Sequence, residues 1–316
     1  MTAPKPLHAP HRVALLFNAN KVYDREIIAG VGSYLQSTRV SWDLFLEEDF
    51  RARLPGMAQW EGDGIIADFD DPEVAAALAA SRLPVVAVGG SYTDAADYPA
   101  GLPYVATDNA ALVKLAHDHL IEAGLPHLAM YSLPSSPTHR WATERERAFE
   151  RLVPGGGDAI YRGLETSAVS WDMAIERLTA WIDSLPKPVG IIGISDARAR
   201  HLLQACSLAG IAVPDQVAIV GIDNDPLTRS LARIALSSVR QGTEAMGRTA
   251  AQLLHRMLHG ARLPDTRIMV APPGINAQAS SAHIAPEDAL PPHVMRARYY
   301  IRQYACQGIK TDQVAD

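Results

Sequence analysis

The chain of 316 residues carries 29 Lys and Arg against 35 Asp and Glu, a formal net charge of −6, with 48% hydrophobic and 20% charged residues. That balance excludes a predominantly disordered chain, and the length exceeds what one small core needs, so two lobes are expected. Cys206 and Cys306 are too few and too far apart for a disulfide scaffold, and no apolar run approaches the length of a membrane span. A net acidic chain also speaks against nucleic-acid binding as its main business.

Residues 1–12 read as a loose arm with three prolines. The absence of an apolar leader core there predicts a cytoplasmic location. Short apolar runs then alternate with helical patterns. The runs are VALLF (13–17), WDLFL (42–46), GIIA (64–67), VVAV (85–88), HLAMY (127–131), VGIIGI (189–194) and VAIVGI (217–222). Lacking clean alternation, they read as strands buried on both faces of a parallel sheet. Helical faces are set by Ile27, Ile28, Val31 and Leu35, and by Leu112, Leu115, Ala116 and Leu120. Later ones are set by Leu178, Trp181, Ile182 and Leu185, by Leu202, Leu203 and Cys206, and by Met246, Ala250, Leu253, Leu254 and Met257. Gly124, Gly210 and Gly260 mark helix ends, and Asp71-Pro72 marks a helix start. Repeated β–α units imply an α/β fold of two lobes, each a doubly wound parallel sheet. Residues 272–292 are rich in breakers and read as a linker, followed by one helical segment over 293–306.

In open α/β sheets ligands bind beyond the carboxyl ends of the strands. Those ends are polar here: Asn18 and Asn20, Glu47 and Glu48, Asp68, Asp70 and Asp71, Gly89 to Ser91, Thr107 to Asn109, Ser195 and Asp196, Asp223 and Asn224. No Gly-rich phosphate loop follows any strand, so a dinucleotide would meet repulsion rather than a cradle. An acceptor-rich edge suits a neutral polyol. Its hydroxyls donate to carboxylates, an Arg donates back, and an aromatic ring covers the C–H face. Arg140, Arg145 and Trp141 in HRWATERERAF (139–149) can supply the donors and the ring.

Three stretches together carry a resemblance. ATDNAALVKLAHDHLIEAG (106–124), TERERAF (143–149) and SDARARHLLQACSLAGIAVPDQVAIVGIDN (195–224) are similar to the sugar-sensing core of lac-repressor-type regulators, which share the periplasmic-binding-protein type I fold. Ala148 stands where that family usually has Gly, Ser195 replaces Asn, and Ile222 replaces an aromatic. Further stretches, among them LLFNANKVYDREIIAGVGSYLQ (15–36), EEDFRARLP (47–55) and GDGIIADFDDP (62–72), resemble xylose-responsive regulators whose core precedes an AraC-type helix-turn-helix domain. Residues 293–316 resemble the opening of such a domain, without its recognition helices. Over 293–310 there are four basic residues and no acidic one, so the net charge describes the sensor rather than the tail.

The resemblance implies a bilobal domain over 13–271. Lobe 1 would hold about 13–124 and 241–260, and lobe 2 about 125–238 and 266–271. It implies D-xylose held in the cleft between the lobes, no cofactor, no catalysis, a homodimer, activation of xylose catabolic genes, and promoter DNA as a partner of the C-terminal domain. The ligand residues it implies are Asp223, Arg145, Asp196, Asp68, Asn18, Trp141 and Asp108. Each has a plainer structural reading. Asp196 with Ser195, and also Asp108, can cap helices, as can Asp70 and Asp71; Asn18 and Asn20 can close an Asx-turn; Arg145 can be a solvated helix charge; Trp141 can be core. His117 and His119 face apart, and His255 and His259 lack a third ligand, so a metal site is not expected. GISDA (193–197) falls short of a nucleophile elbow. Against the regulator stand two other readings, a stand-alone sugar-binding protein and a sugar-modifying enzyme.

Overall fold

The computed structural model describes residues 10–47, 50–164 and 170–282. The arm over 1–9, Glu48, the end of the expected linker and the helical segment over 293–306 lie outside the described residues. The described chain forms two compact units. One runs to Asp108 and takes up Gly242–Ala271; the other holds Asn109–Gln241 and the chain from Pro272 on.

The first unit is a six-stranded sheet in the order β11-β5-β4-β3-β1-β2. Its strands are β1 (His11–Leu16), β2 (Trp42–Leu46), β3 (Gly64–Asp68), β4 (Val85–Gly90), β5 (Tyr104–Thr107) and β11 (Arg267–Val270). All pairings are parallel. Side chains alternate across the pleat, so successive residues of one run feed two cores. Val13, Leu15, Phe17, Val86 and Val88 pack with α1 (Val22–Thr38) and α8 (Thr243–Leu258). Ala14, Leu16, Ile65, Ala67 and Ala87 pack on the other face with α2 (Pro72–Leu78) and the 3-10 segment Phe50–Gln59. The uniform apolar runs follow from this two-sided burial. Asp71 caps α2 by accepting from the Glu73 amide at 3.0 Å, with Pro72 in the first turn. Helices α1 and α8 approach closely through glycine. A Cβ on Gly30 would collide with the Glu244 carbonyl, and one on Gly247 with the Ile27 carbonyl.

The second unit repeats the plan, with sheet order β12-β10-β9-β8-β6-β7. Its strands are β6 (His127–Ser132), β7 (Ile160–Arg162), β8 (Val189–Gly193), β9 (Val217–Ile222), β10 (Ser237–Arg240) and β12 (Gly274–Asn276). Only β12 runs antiparallel, against β10. Met130, Ile192, Val220 and Ile222 meet α3 (Asn109–Glu122) and α4 (Arg140–Leu152) on one face. Ala129, Ile191, Val217 and Ile219 meet α5 (Trp171–Ser184) and α6 (Asp196–Ala209) on the other. A short helix, α7 (Pro226–Leu231), follows β9.

Three expectations about organisation change. Helix α3, placed with the first lobe on chain order, belongs to the second unit, because Leu112, Val113, Ala116 and Leu120 are buried against β8, β9 and α4. Strand β11, placed with the second lobe, extends the first sheet in parallel register, Arg267 opposite Tyr104 through Val270 opposite Thr107. The linker expected from residue 272 instead begins with β12 and a 3-10 turn, Ala279–Ser281, whose three residues are buried.

Candidate functional site

In each sheet the first strand of the unit lies between the second and third, so the chain order reverses beside it. Crevices open at the carboxyl ends of strands on either side of such a reversal. Asn18, Asp68, Asp108, Asp196 and Asp223 sit at or just past strand ends, whereas Arg145 and Trp141 lie on α4.

In the second unit Asp223 follows β9 with a backbone φ of +134°, and Asn224 follows with φ +57°. Neither is glycine, so the turn stores strain that its hydrogen bonds must hold, a condition common at functional sites. The Asp223 Oδ1 accepts from Gln241 Nε2 at 2.5 Å, and its Oδ2 from the Asp196 amide at 3.4 Å. Gln241 in turn accepts from Arg145 Nη2 at 3.0 Å. Arg145 is almost fully buried on α4 and also donates to Asn109 Oδ1 at 3.0 Å and to the Ile194 carbonyl at 2.7 Å. Its guanidinium lies 4.6 Å from the ring centre of half-buried Trp141, one helical turn earlier. Arg145 is thus no solvated helix charge, and Trp141 is both a partner of that cation and packed against the core.

Asp196 opens α6 at zero exposure. Ser195, not Asp196, caps the helix, accepting from the Arg198 amide at 3.4 Å. The Asp196 carboxylate accepts from Ser238 Oγ at 2.5 Å and from the Asp225 amide at 2.7 Å, which ties α6 to the strained turn. Burial pushes the Asp196 carboxyl up to about 7, with the Asp223 charge adding to it. Burial also pushes Asp223 up to about 6, held back by the Arg145 charge and the Gln241 hydrogen bond. A half-buried carboxylate of this kind, beside an ordered cation, accepts hydroxyl donors from a polyol.

In the first unit Asn18 follows β1. Its side chain accepts from the Asn20 amide at 3.0 Å, the Asx-turn geometry, while its own amide donates to Asp24 Oδ2 at 2.5 Å. Asp68 ends β3, nearly fully buried; it accepts from the Asp70 amide at 3.0 Å, with Lys21 Nζ 3.8 Å away. Burial raises its carboxyl well above the usual range, and Asp24 and Asp70 add to the rise. Asp70 is no helix cap: it accepts from the Gly90 amide and from the Tyr92 hydroxyl. Asp108 stands half-buried directly before α3. The edge of this unit is therefore acidic and bonded into its own loops.

Several residues of these networks carried no visible signal. Gln241 follows β10, a strand with the polar sequence SSVR, so no apolar run announced it. Asp24 lies in the first turn of α1, fully buried; Asn109, by contrast, stands among the polar strand ends and is the first residue of α3. Among the described residues no group of His, Cys, Asp and Glu could hold a metal ion, and no helix is long and apolar enough to cross a membrane.

Two parallel-sheet units of this order, with carboxylates and amides at their strand ends, define a periplasmic-binding-protein-like fold. Family models agree: "XylR N-terminal domain" matches residues 12–110 and "Periplasmic binding protein-like domain" matches 117–281. The chain is 50% identical to the xylose operon regulatory protein of Escherichia coli K12, over 97% of this chain and 78% of that protein. It is 44% identical to the one from Haemophilus influenzae, over 97% and 79%. A solved xylose-binding transcription activator, XylR, superposes with TM-score 0.82 at 48% identity, covering 97% of this chain and 78% of that one. A CelR–cellobiose complex shares the fold, with TM-score 0.67 at 22% identity over 85% and 84%. The chain belongs to the family of xylose operon regulatory proteins, which are regulators and not enzymes.

Proposed function

We propose that the chain senses free D-xylose in the cytoplasm and acts as an activator of xylose catabolic genes, as a homodimer that reaches promoter DNA through its C-terminal region. The relatives at 44–50% identity support this reading, being named as regulators of a xylose operon. The observation that carries it is the strained Asp223, whose half-buried carboxylate is steadied through Gln241 by Arg145.

In this reading Asp223 accepts sugar hydroxyls. Arg145 supplies compensating charge, and Trp141 presents apolar surface to the sugar's C–H face. Asn18, Asp68 and Asp108 are the candidate hydroxyl partners in the first unit. Asp196 acts as a ligand or as the anchor of the Asp223 turn, and its zero exposure and two partners favour the anchor. A sugar with greater affinity for one arrangement of the protein shifts the population toward it, which is the physical basis of the response.

Titration calorimetry against D-xylose, L-arabinose, D-ribose and D-glucose tests the reading. Heat with xylose at one site per chain is expected; no heat with any pentose would remove the assignment. Incubation with xylose should yield no product, which separates a sensor from a sugar-modifying enzyme.

A further inference from the structure

The segment expected to be a linker is stitched to the Asp223 turn by side chains, and the stitching has a direction. Asn276, on β12, pairs in register with Ser238 on β10. Its Nδ2 donates to Asn224 Oδ1 at 3.1 Å, and its Oδ1 accepts from Gln278 Nε2 at 2.9 Å. The Asn224 amide donates to Ser238 Oγ at 2.8 Å, and that hydroxyl donates to Asp196 at 2.5 Å. Beyond Asn276 the bonds continue. The Gln278 amide donates to Ser237 Oγ at 2.7 Å, and Ser281 Oγ donates to the same oxygen at 2.6 Å. His119 Nε2 lies 2.6 Å from Ser281 Oγ, and Ser280 Oγ donates to the Ile219 carbonyl at 2.6 Å. Hydrogen-bonded residues thus run from Asp223 and Asn224 to Ser281, all within one unit, and residues 283–316 follow directly in sequence.

Two physical features make this arrangement suited to coupling. Asp223 and Asn224 both hold positive φ, so the turn is a strained element kept in place by its partners. A ligand that takes up Asp223 oxygens changes what holds the turn, and the next residue, Asn224, carries the side chain that meets Asn276. The interior of the path is also polar and buried: Ser237, Ser238, Ser280 and Ser281 have at most 2% exposure. Breaking one of its bonds leaves an unsatisfied buried group, so rearrangements there are concerted rather than gradual.

We propose that Asn276 is a positioning residue that links ligand occupancy at Asp223 to the order of residues 276–282, the segment leading to the C-terminal tail. The proposal rests on the sugar-sensing reading above and adds the route by which the response leaves the core. Asn276 does not touch ligand; it acts through Asn224.

The test is hydrogen–deuterium exchange of the full chain, with and without D-xylose, beside calorimetry on the same samples. In the unaltered protein xylose should slow exchange of the Gln278, Ser280, Ser281 and Ala282 amides. These donate to Ser237 Oγ and to the carbonyls of Ala235, Gln278 and Ala279. In Asn276→Ala the dissociation constant should stay within about threefold, while the xylose-dependent slowing falls by about three- to tenfold. Gln278→Ala, which leaves the Asn224–Asn276 bond in place, should show a smaller loss and serves if Asn276→Ala does not fold. A merely structural role would raise exchange in both ligand states equally and leave the xylose-dependent difference intact, which would overturn the proposal. Xylose binding without any slowing at 276–282 in the unaltered protein would overturn it as well, with the sugar assignment standing. Absence of binding heat would remove the sugar assignment and this inference with it.

Discussion

Asp223 carries its charge in a place that disfavours charge. Its carboxyl is raised to about 6 by burial, so near neutral pH it is ionised and accepts hydroxyl donors, and below about 6 it takes up a proton and loses acceptor capacity. Xylose affinity should therefore be weaker at pH 5 than at pH 7.5, by calorimetry at both; equal affinities would show that Asp223 is not the acceptor. Asp223→Ala should cost about 1.5–3 kcal/mol, the worth of a hydrogen bond to a charged group, and lower affinity accordingly. Asp196 makes a separate prediction about stability. Its folded-state value of about 7 lies above the ordinary carboxylate value of 3.8, so between those limits the folded state binds a proton that the unfolded state does not. The stability it contributes is fully present below pH 3.8 and is lost as pH rises through 7. Asp196→Asn cannot titrate, so its urea midpoint should fall less between pH 5 and pH 8 than that of the unaltered protein. Parallel slopes would contradict the assignment of the raised carboxyl to Asp196.

At the level of elements, the two-faced sheets were legible because burial on both sides leaves a plain trace. Runs such as VALLF and VAIVGI have no polar residue to spare, and β1 and β9 fall where they stand. Strands β7, β10 and β12 left no such trace. Ser237 and Ser238 of β10 are fully buried yet polar, since hydrogen bonds to Gln278, Ser280 and Asp196 take the place of apolar packing. A polar sequence with breakers then reads as a linker, although Ala279, Ser280 and Ser281 within it are buried. Ser280→Ala should cost about 1–3 kcal/mol in chemical denaturation, because the Ser237 amide and the Ile219 carbonyl lose a buried partner. A change near zero would return the segment to the status of a loose exit. Gly247 was equally silent in sequence, since nothing there tells which helix face meets a second helix. Gly247→Ala forces a Cβ into the Ile27 carbonyl and should destabilise by about 1–3 kcal/mol through separation of α1 and α8. The candidate site was legible in part for the same reason: residues directly after apolar strands, such as Asp223 and Asp68, can be named, whereas Gln241, Asp24 and Asn276 meet them only in space.

For the molecule as a whole, charge and family point the same way. A net charge of −6 fits a chain whose strand ends are lined with carboxylates, and most of the described residues match the XylR N-terminal and periplasmic-binding-protein-like family models. The proposed function rests on one association, that of a pentose with this core. Titration of the 316-residue chain with D-xylose at pH 7.5, with D-ribose and D-glucose alongside, tests it most directly. Saturable heat from xylose is expected at one site per chain, with affinity lowered about 10- to 150-fold in Asp223→Ala. Absence of heat from xylose, or full retention of binding by Asp223→Ala, would contradict it.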